Sequence, residues 1–105
     1  MDRLNILSLL GLSLRGGRLA VGEEPVEAVA RARDARVLLL ASDAADGTRR
    51  RCEHFAAHGD CMWLQIPFTK AELGEQLGRS SCAMLAVTDF GFAAALAEKL
   101  AARDE

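Results

Sequence analysis

The 105 residues carry 13 basic and 15 acidic side chains, a formal net charge of −2, and 50% of them are apolar. A chain of this length and composition supports one compact domain with a core of its own and excludes intrinsic disorder. The charge balance also excludes a protein that coats nucleic acid by bulk attraction.

The charge is unevenly placed: residues 1–51 carry 9 basic and 7 acidic side chains, against 4 and 8 in the remainder. Arg outnumbers Lys by 11 to 2; its planar fork of donors suits phosphates and base edges, although a GC-rich genome raises the same count without functional meaning. Three cysteines, Cys52, Cys61 and Cys82, form no C-x-x-C pair, and an odd number implies a reducing, cytoplasmic setting. No apolar run reaches the length of about 18 residues that a membrane span needs. The run from Leu4 to Leu12 resembles a short signal peptide. Arg15 and Arg18 follow it before any small-residue cleavage site, so secretion is not expected.

In chain order, Leu4, Leu7, Leu10 or Gly11, and Leu14 recur at helical spacing and predict a mostly buried first helix that ends at Gly16-Gly17. Residues 18–21 read as a brief strand. A second helix starts at Gly22-Glu23-Glu24-Pro25 and buries Val26, Val29 and Ala30; Pro25 is tolerated because first-turn amides lack an intrahelical acceptor. Residues 37–41 form a continuous apolar run, as in a strand covered on both faces. After the polar loop 42–47, Thr48 is the expected cap of a third helix that turns Cys52, Phe55 and Ala56 inward and stops at Gly59. Residues 61–66 predict the next strand. Thr69 and Glu72 form a capping box for a short helix through Leu73 and Leu77. Residues 82–87 predict another buried strand, and a last helix carries Phe92, Leu96 and Leu100. This alternation implies an α/β protein, a three-layer α/β/α sandwich around a small mixed sheet of about four strands.

Several constellations invite chemistry. Residues 11–18 have glycine spacing like a phosphate-binding loop, but they lack its Gly-Lys-Ser/Thr ending and follow a helix rather than a strand. Cys52, His54, His58 and Cys61 lie close in sequence, yet Cys52 points about 200° away from His54 around a helix, which leaves at most three metal ligands. Ser42-Asp43 adjoins a strand end, with no histidine placed by sequence to serve it. Arg49-Arg50-Arg51 in a first helical turn would oppose the helix dipole, a broken local rule that can mark function. Glu23 and Glu24 suit a helix start, repel phosphate, and can accept hydrogen bonds from base amino and imino groups. In the turn Thr88-Asp89-Phe90-Gly91, Asp89 can cap the last helix, and Phe90 can join the core or offer a stacking surface.

Taken in order, Leu10-Gly11-Leu12 with Gly16-Gly17-Arg18, Gly22-Glu23-Glu24, residues 37–44, Glu72-Leu73-Gly74 and residues 88–93 resemble the ribosomal-protein L-seven-Ae family of the kink-turn RNA-binding superfamily. The likeness spans roughly residues 4–100 and is greatest to the bacterial YlxQ-like, ribosomal-protein-like branch. It implies an α/β/α sandwich and, in many relatives, kink-turn recognition. There the start of the second helix engages sheared G·A pairs, and a loop after the last strand packs on a flipped-out base. Well-characterised binders carry Gly-x-Asn-Glu-x-x-Lys at that helix start. This chain places Gly22 at the Gly, Glu24 at the Asn, Pro25 at the Glu and Ala28 at the Lys. Each lost contact typically costs about 1–3 kcal/mol.

The expectation is therefore a single cytoplasmic, non-enzymatic RNA-binding domain over residues 1–105, without cofactor or metal. Its partner would be structured RNA, ribosomal or kink-turn-like, with the ribosome or translation-associated proteins as further partners and neither DNA nor membrane. The RNA-binding set is Arg18, Gly22, Glu23, Glu24, Thr88, Asp89 and Phe90, with Arg15, Arg31, Arg33 and Arg36 as phosphate contacts. The alternative is a protein-interaction module that keeps the fold but has lost kink-turn recognition, and a small nucleotide-binding or enzymatic role stands third.

Overall fold

Helices and strands alternate through residues 2–101, the part of the chain that the computed structural model describes. The order is α1 (Arg3–Arg15), β1 (Leu19–Val21), α2 (Glu23–Arg31), β2 (Val37–Leu40), α3 (Asp46–His58), β3 (Met62–Gln65), α4 (Lys70–Leu77), β4 (Met84–Val87) and α5 (Phe90–Ala101). The four strands form one mixed sheet in the order β1-β4-β2-β3. β4 runs antiparallel to both β1 and β2, while β2 and β3 are parallel.

Both central strands are buried at every position, which explains their unbroken apolar sequences. Side chains alternate across the sheet, so Val37, Leu39, Leu85 and Val87 enter one core, where Ile6, Leu10, Phe68, Leu73 and Leu96 arrive from the α1, α4 and α5 side. Leu38, Leu40, Met84 and Ala86 enter the other, facing Val26 and Ala30 of α2 and Cys52, Phe55 and Ala56 of α3. The result is the expected α/β/α sandwich.

Two local expectations need correction. α1 buries Ile6, Leu10, Gly11 and Ser13, with Leu7, Leu9 and Leu14 half-buried; Leu4 and Leu12 face solvent. The sheet lies under the Ile6–Leu10 row, so the leucine-rich composition widened the apparent stripe beyond what the core covers. α3 is capped by Ala45 and starts at Asp46, not after Thr48. The acid therefore occupies the first turn, where it suits the dipole, and the three arginines fall one turn deeper. Arg49 lies 3.2 Å from Glu53 and 4.0 Å from Asp46.

The capping box at α4 forms as expected. The Thr69 hydroxyl accepts from the Glu72 amide at 3.1 Å, and the Glu72 carboxylate accepts from the Thr69 amide at 2.8 Å. Arg3 donates to Glu72 at 2.9 Å and to the Pro67 carbonyl at 2.7 Å, tying α1 to the start of α4. The Thr69 amide, and secondarily Arg3, hold the Glu72 carboxyl below its ordinary pKa. Because the folded value is the lower one, its contribution to stability is complete above the unfolded Glu pKa of about 4.3 and fades as pH falls through the folded value. Urea denaturation should therefore show E72Q less stable than the parent at neutral pH, with the gap narrowing as the pH is lowered.

Candidate nucleic-acid interface

Strand register decides which candidate residues meet. Leu19 and Val37 both pair with Val87, so the next rung brings together Arg18, Thr88 and Arg36 at one end of the sheet. The Thr88 amide donates to the Arg18 carbonyl at 3.0 Å, and the Arg36 amide donates to the Val87 carbonyl at 2.7 Å. At the opposite end, Val21 pairs with Leu85, and the Gly22 amide donates to the Met84 carbonyl at 2.9 Å. With a rise of about 3.3 Å per residue, Arg18 and Gly22 stand about 13 Å apart. The sequence-derived set is thus divided: Gly22, Glu23 and Glu24 lie at one end, and Arg18, Arg36, Thr88, Asp89 and Phe90 at the other.

At the Gly22 end, Gly22 caps α2 with φ +98°, a conformation side-chain-bearing residues rarely adopt, and gives α2 no side-chain cap. Arg51 of α3 forms an ion pair with Glu23, contacting both carboxylate oxygens, and Glu23 in turn raises the guanidinium pKa. Glu24 is exposed and next to this pair, as are Pro25 and Ala28. Asp43 accepts from the Lys70 amide at 2.8 Å, so this loop residue serves the start of α4.

The segment joining α4 to β4 also belongs to this end. The Ala41 amide donates to the Ala83 carbonyl, the Cys82 amide donates to Lys70, and the Cys82 thiol feels both the Gly22 amide and the Arg79 charge. Gly74 lets the segment pack tightly, since a Cβ there would lie 2.7 Å from the Ser81 amide nitrogen and 2.8 Å from the Arg79 carbonyl oxygen. Exposed Arg79 and Ser81 were missed by sequence reasoning, whereas exposed Arg50 on α3 belongs to the arginine run that the sequence singled out. The available signal was a glycine in the middle of a helix, which is unfavourable without a packing reason.

At the Arg18 end, Arg18, Ala20, Val29, Asp34, Arg36 and Thr88 border a concavity of about 360 Å³. The Arg36 guanidinium carbon lies 4.2 Å from the centre of the Phe90 ring. Phe90 is 71% exposed, which decides between its two readings: it is a surface ring and not a core residue. Asp89 caps α5, its carboxylate accepting from the Phe92 amide at 2.9 Å. Arg15 and Arg33 are exposed; Arg33, at φ +60°, sits in the turn between α2 and β2. Arg31 stands apart, paired with Glu27 at 2.7 Å beside His54 and His58.

The His54 and His58 rings are 6.2 Å apart, and no cluster of three metal-ligating side chains occurs among the described residues. No helix among them is long and apolar enough to cross a membrane.

No family model matches the chain. A protein of Enterococcus faecium named RNA-binding protein YlxQ is 27% identical over 92 residues, covering 88% of this chain and 87% of the relative. A protein of the same name from Bacillus subtilis (strain 168) is 31% identical over 97 residues, covering 89% and 92%. The chain belongs to the YlxQ family. A solved structure described as a protein with unknown function from Bacillus halodurans C superposes with a TM-score of 0.82 at 27% identity, over 91% of this chain and 96% of that one. The YlxQ relatives therefore match almost from end to end, across both ends of the sheet.

Two outcomes follow from this packing. G74A should displace the Arg79–Ser81 backbone and lower the urea midpoint, because overpacking of this kind costs about 1–3 kcal/mol, more than the helix gains from Ala. Burial pushes the Cys52 thiol up to about 12 and raises Cys82 and Cys61 as well. At neutral pH a thiol reagent should modify half-buried Cys61 first, while Cys52 and Cys82 react only at the rate of unfolding.

Proposed function

We propose that this protein is a non-catalytic, cytoplasmic RNA-binding protein that grips a structured RNA, of the kink-turn or ribosomal kind, at the Gly22 end of the sheet. The observation that carries this reading is the meeting there of the start of α2, which has no side-chain cap, with the Arg79–Ser81 segment and the α3 arginines. The names of the two YlxQ relatives support RNA as the ligand, and the L-seven-Ae resemblance supports its structured form.

The chemistry divides among named groups. Ionised Glu24 is an acceptor, suited to guanine imino and amino donors or a cytosine amino group. Glu23 is held by Arg51 and positions that arginine rather than reading a base. Arg50 and Arg79 have no ion-pair partner among the described residues and supply phosphate contacts. Pro25 and Ala28 bring no polar side chain, so affinity for a standard kink-turn rests on these arginines. The charges around Gly22 nearly balance, which favours one second reading, a protein-interaction module on the same fold.

The readings separate in a salt titration with a kink-turn RNA and a ribosomal RNA fragment. RNA binding should weaken with salt with a log–log slope of about 0.7–0.9 per phosphate neutralised. R50A and R79A should each reduce that slope by about one contact and weaken different RNAs similarly. Absence of binding to either RNA at low salt would favour the interaction module.

A further inference from the structure

β1 is an edge strand, paired only with β4. The Thr88 amide donates to the Arg18 carbonyl and the Gly22 amide to the Met84 carbonyl, so the backbone of Arg18, Ala20 and Gly22 faces β4. By alternation, Leu19 and Val21 direct their N–H and C=O groups to the open side, where none of them has a hydrogen-bond partner among the described residues. An open edge of this kind is a template for a further strand. The groove of about 360 Å³ runs along this edge: Leu19 and Ala20 border it from the strand, Val29 from α2, and Arg18 and Arg36 from the end of the sheet. A strand edge beside a helix, with an apolar floor between them, is the kind of surface to which extended peptides add.

The charge at this end says what the added strand carries. Arg15, Arg18, Arg33 and Arg36 have no ion-pair partner among the described residues. Arg15 ends α1 and Arg33 follows α2, where a cation offsets the helix dipole. Arg18 and Arg36 enter strands and have no such role. The Arg36 Nε is buried without a hydrogen-bond partner, although buried polar nitrogens are normally satisfied, and its guanidinium lies over the exposed Phe90 ring. The facing acids are two: Asp89, whose carboxylate caps α5, and Asp34, which borders the groove.

We infer that the groove between β1 and α2 docks an extended acidic segment of a partner protein, which adds to β1 as a fifth strand of the four-stranded sheet. The segment's backbone takes the open N–H and C=O groups of Leu19 and Val21. Its carboxylates meet Arg18 and Arg36 and supply the acceptor that the Arg36 guanidinium lacks, while an apolar side chain between them rests on Ala20 and Val29. Arginine and aromatic side chains at the centre of an interface carry most of its binding energy, and complementary charge selects the partner. A peptide suits this groove better than a nucleic acid does. A phosphate chain brings a charge at every residue and meets Asp34, whereas a strand can set an uncharged side chain there. The inference uses the end of the sheet opposite Gly22 and does not rest on the RNA reading.

The test uses the full chain with four probes: a short peptide alternating Glu and Val, its N-methylated form, which cannot donate backbone hydrogen bonds, a peptide of equal length alternating Lys and Val, and a kink-turn RNA. NMR follows hydrogen exchange at the Leu19 and Val21 amides and the Arg36 Nε–H resonance, and affinities are compared for the parent and R18E. The Glu-Val peptide should slow exchange at both amides and shift the Arg36 Nε–H. Its affinity should fall about tenfold or more in R18E, as for close charge pairs at interfaces, and both the N-methylated and the Lys-Val peptides should bind at least that much more weakly. If the Glu-Val peptide leaves the Leu19 and Val21 amides unprotected, or if the Lys-Val peptide binds equally well, the docking groove is overturned. If the RNA protects these amides and the peptide does not, the groove is a nucleic-acid surface and the inference is again overturned. If the peptide protects them and the RNA binds nowhere, the groove stands and the RNA reading falls.

Discussion

The antiparallel pairing of β4 with both β1 and β2 is the constraint on which the rest of the molecule depends. β4 is four residues long, wholly buried, and divides its side chains between two cores, Leu85 and Val87 on one face and Met84 and Ala86 on the other. Its insertion between strands that precede it in sequence determines which chain ends meet. Because β1 and β2 both run against β4, the residues that enter them, Arg18 and Arg36, flank the residue that leaves it, Thr88. The same pairing brings the segment entering β4 beside Gly22. Truncating a side chain at any position along this strand would disturb one helical layer or the other, since no position along it faces solvent.

The fold was legible in the sequence because its signals are local. Apolar runs located the two central strands, and the spacing of Thr69 and Glu72 located the start of α4, where both reciprocal hydrogen bonds form. Local signals failed where tertiary contacts decide. Asp46-Gly47 looks like loop chemistry, yet the helix begins there, with Asp46 in the first turn. Leucines on almost every side of α1 obscured which row the sheet covers, so Leu4 seemed interior and is 77% exposed.

The candidate surface was less legible for a reason of the same kind. Residue types such as Arg18, Glu24 and Phe90 could be singled out from sequence, but their grouping depends on strand order, and that order does not follow the chain. Two of the segments placed together by resemblance, Gly22-Glu23-Glu24 and Thr88-Asp89-Phe90, lie at opposite ends of the sheet. Arg79 and Ser81, which attracted no attention in sequence, lie beside Gly22 through the backbone bond from Gly22 to Met84 and the packing permitted by Gly74.

The near-zero net charge acquires a structural meaning from the ion pairs. Glu72, Glu27, Glu53 and Glu23 engage Arg3, Arg31, Arg49 and Arg51, so four of the 15 acidic side chains neutralise arginines on the helical flanks. The cations left without an acidic partner among the described residues include Arg15, Arg18, Arg33 and Arg36 at one end of the sheet and Arg50 and Arg79 toward the other. The two ends are about 13 Å apart along β1, whereas exposed charges at physiological ionic strength are screened over about 8 Å. Each end therefore presents its own field to a polyanion. A molecule with almost no net charge can attract a polyanion locally without behaving as a general polycation, because its unpaired cations are grouped and its paired ones are neutralised.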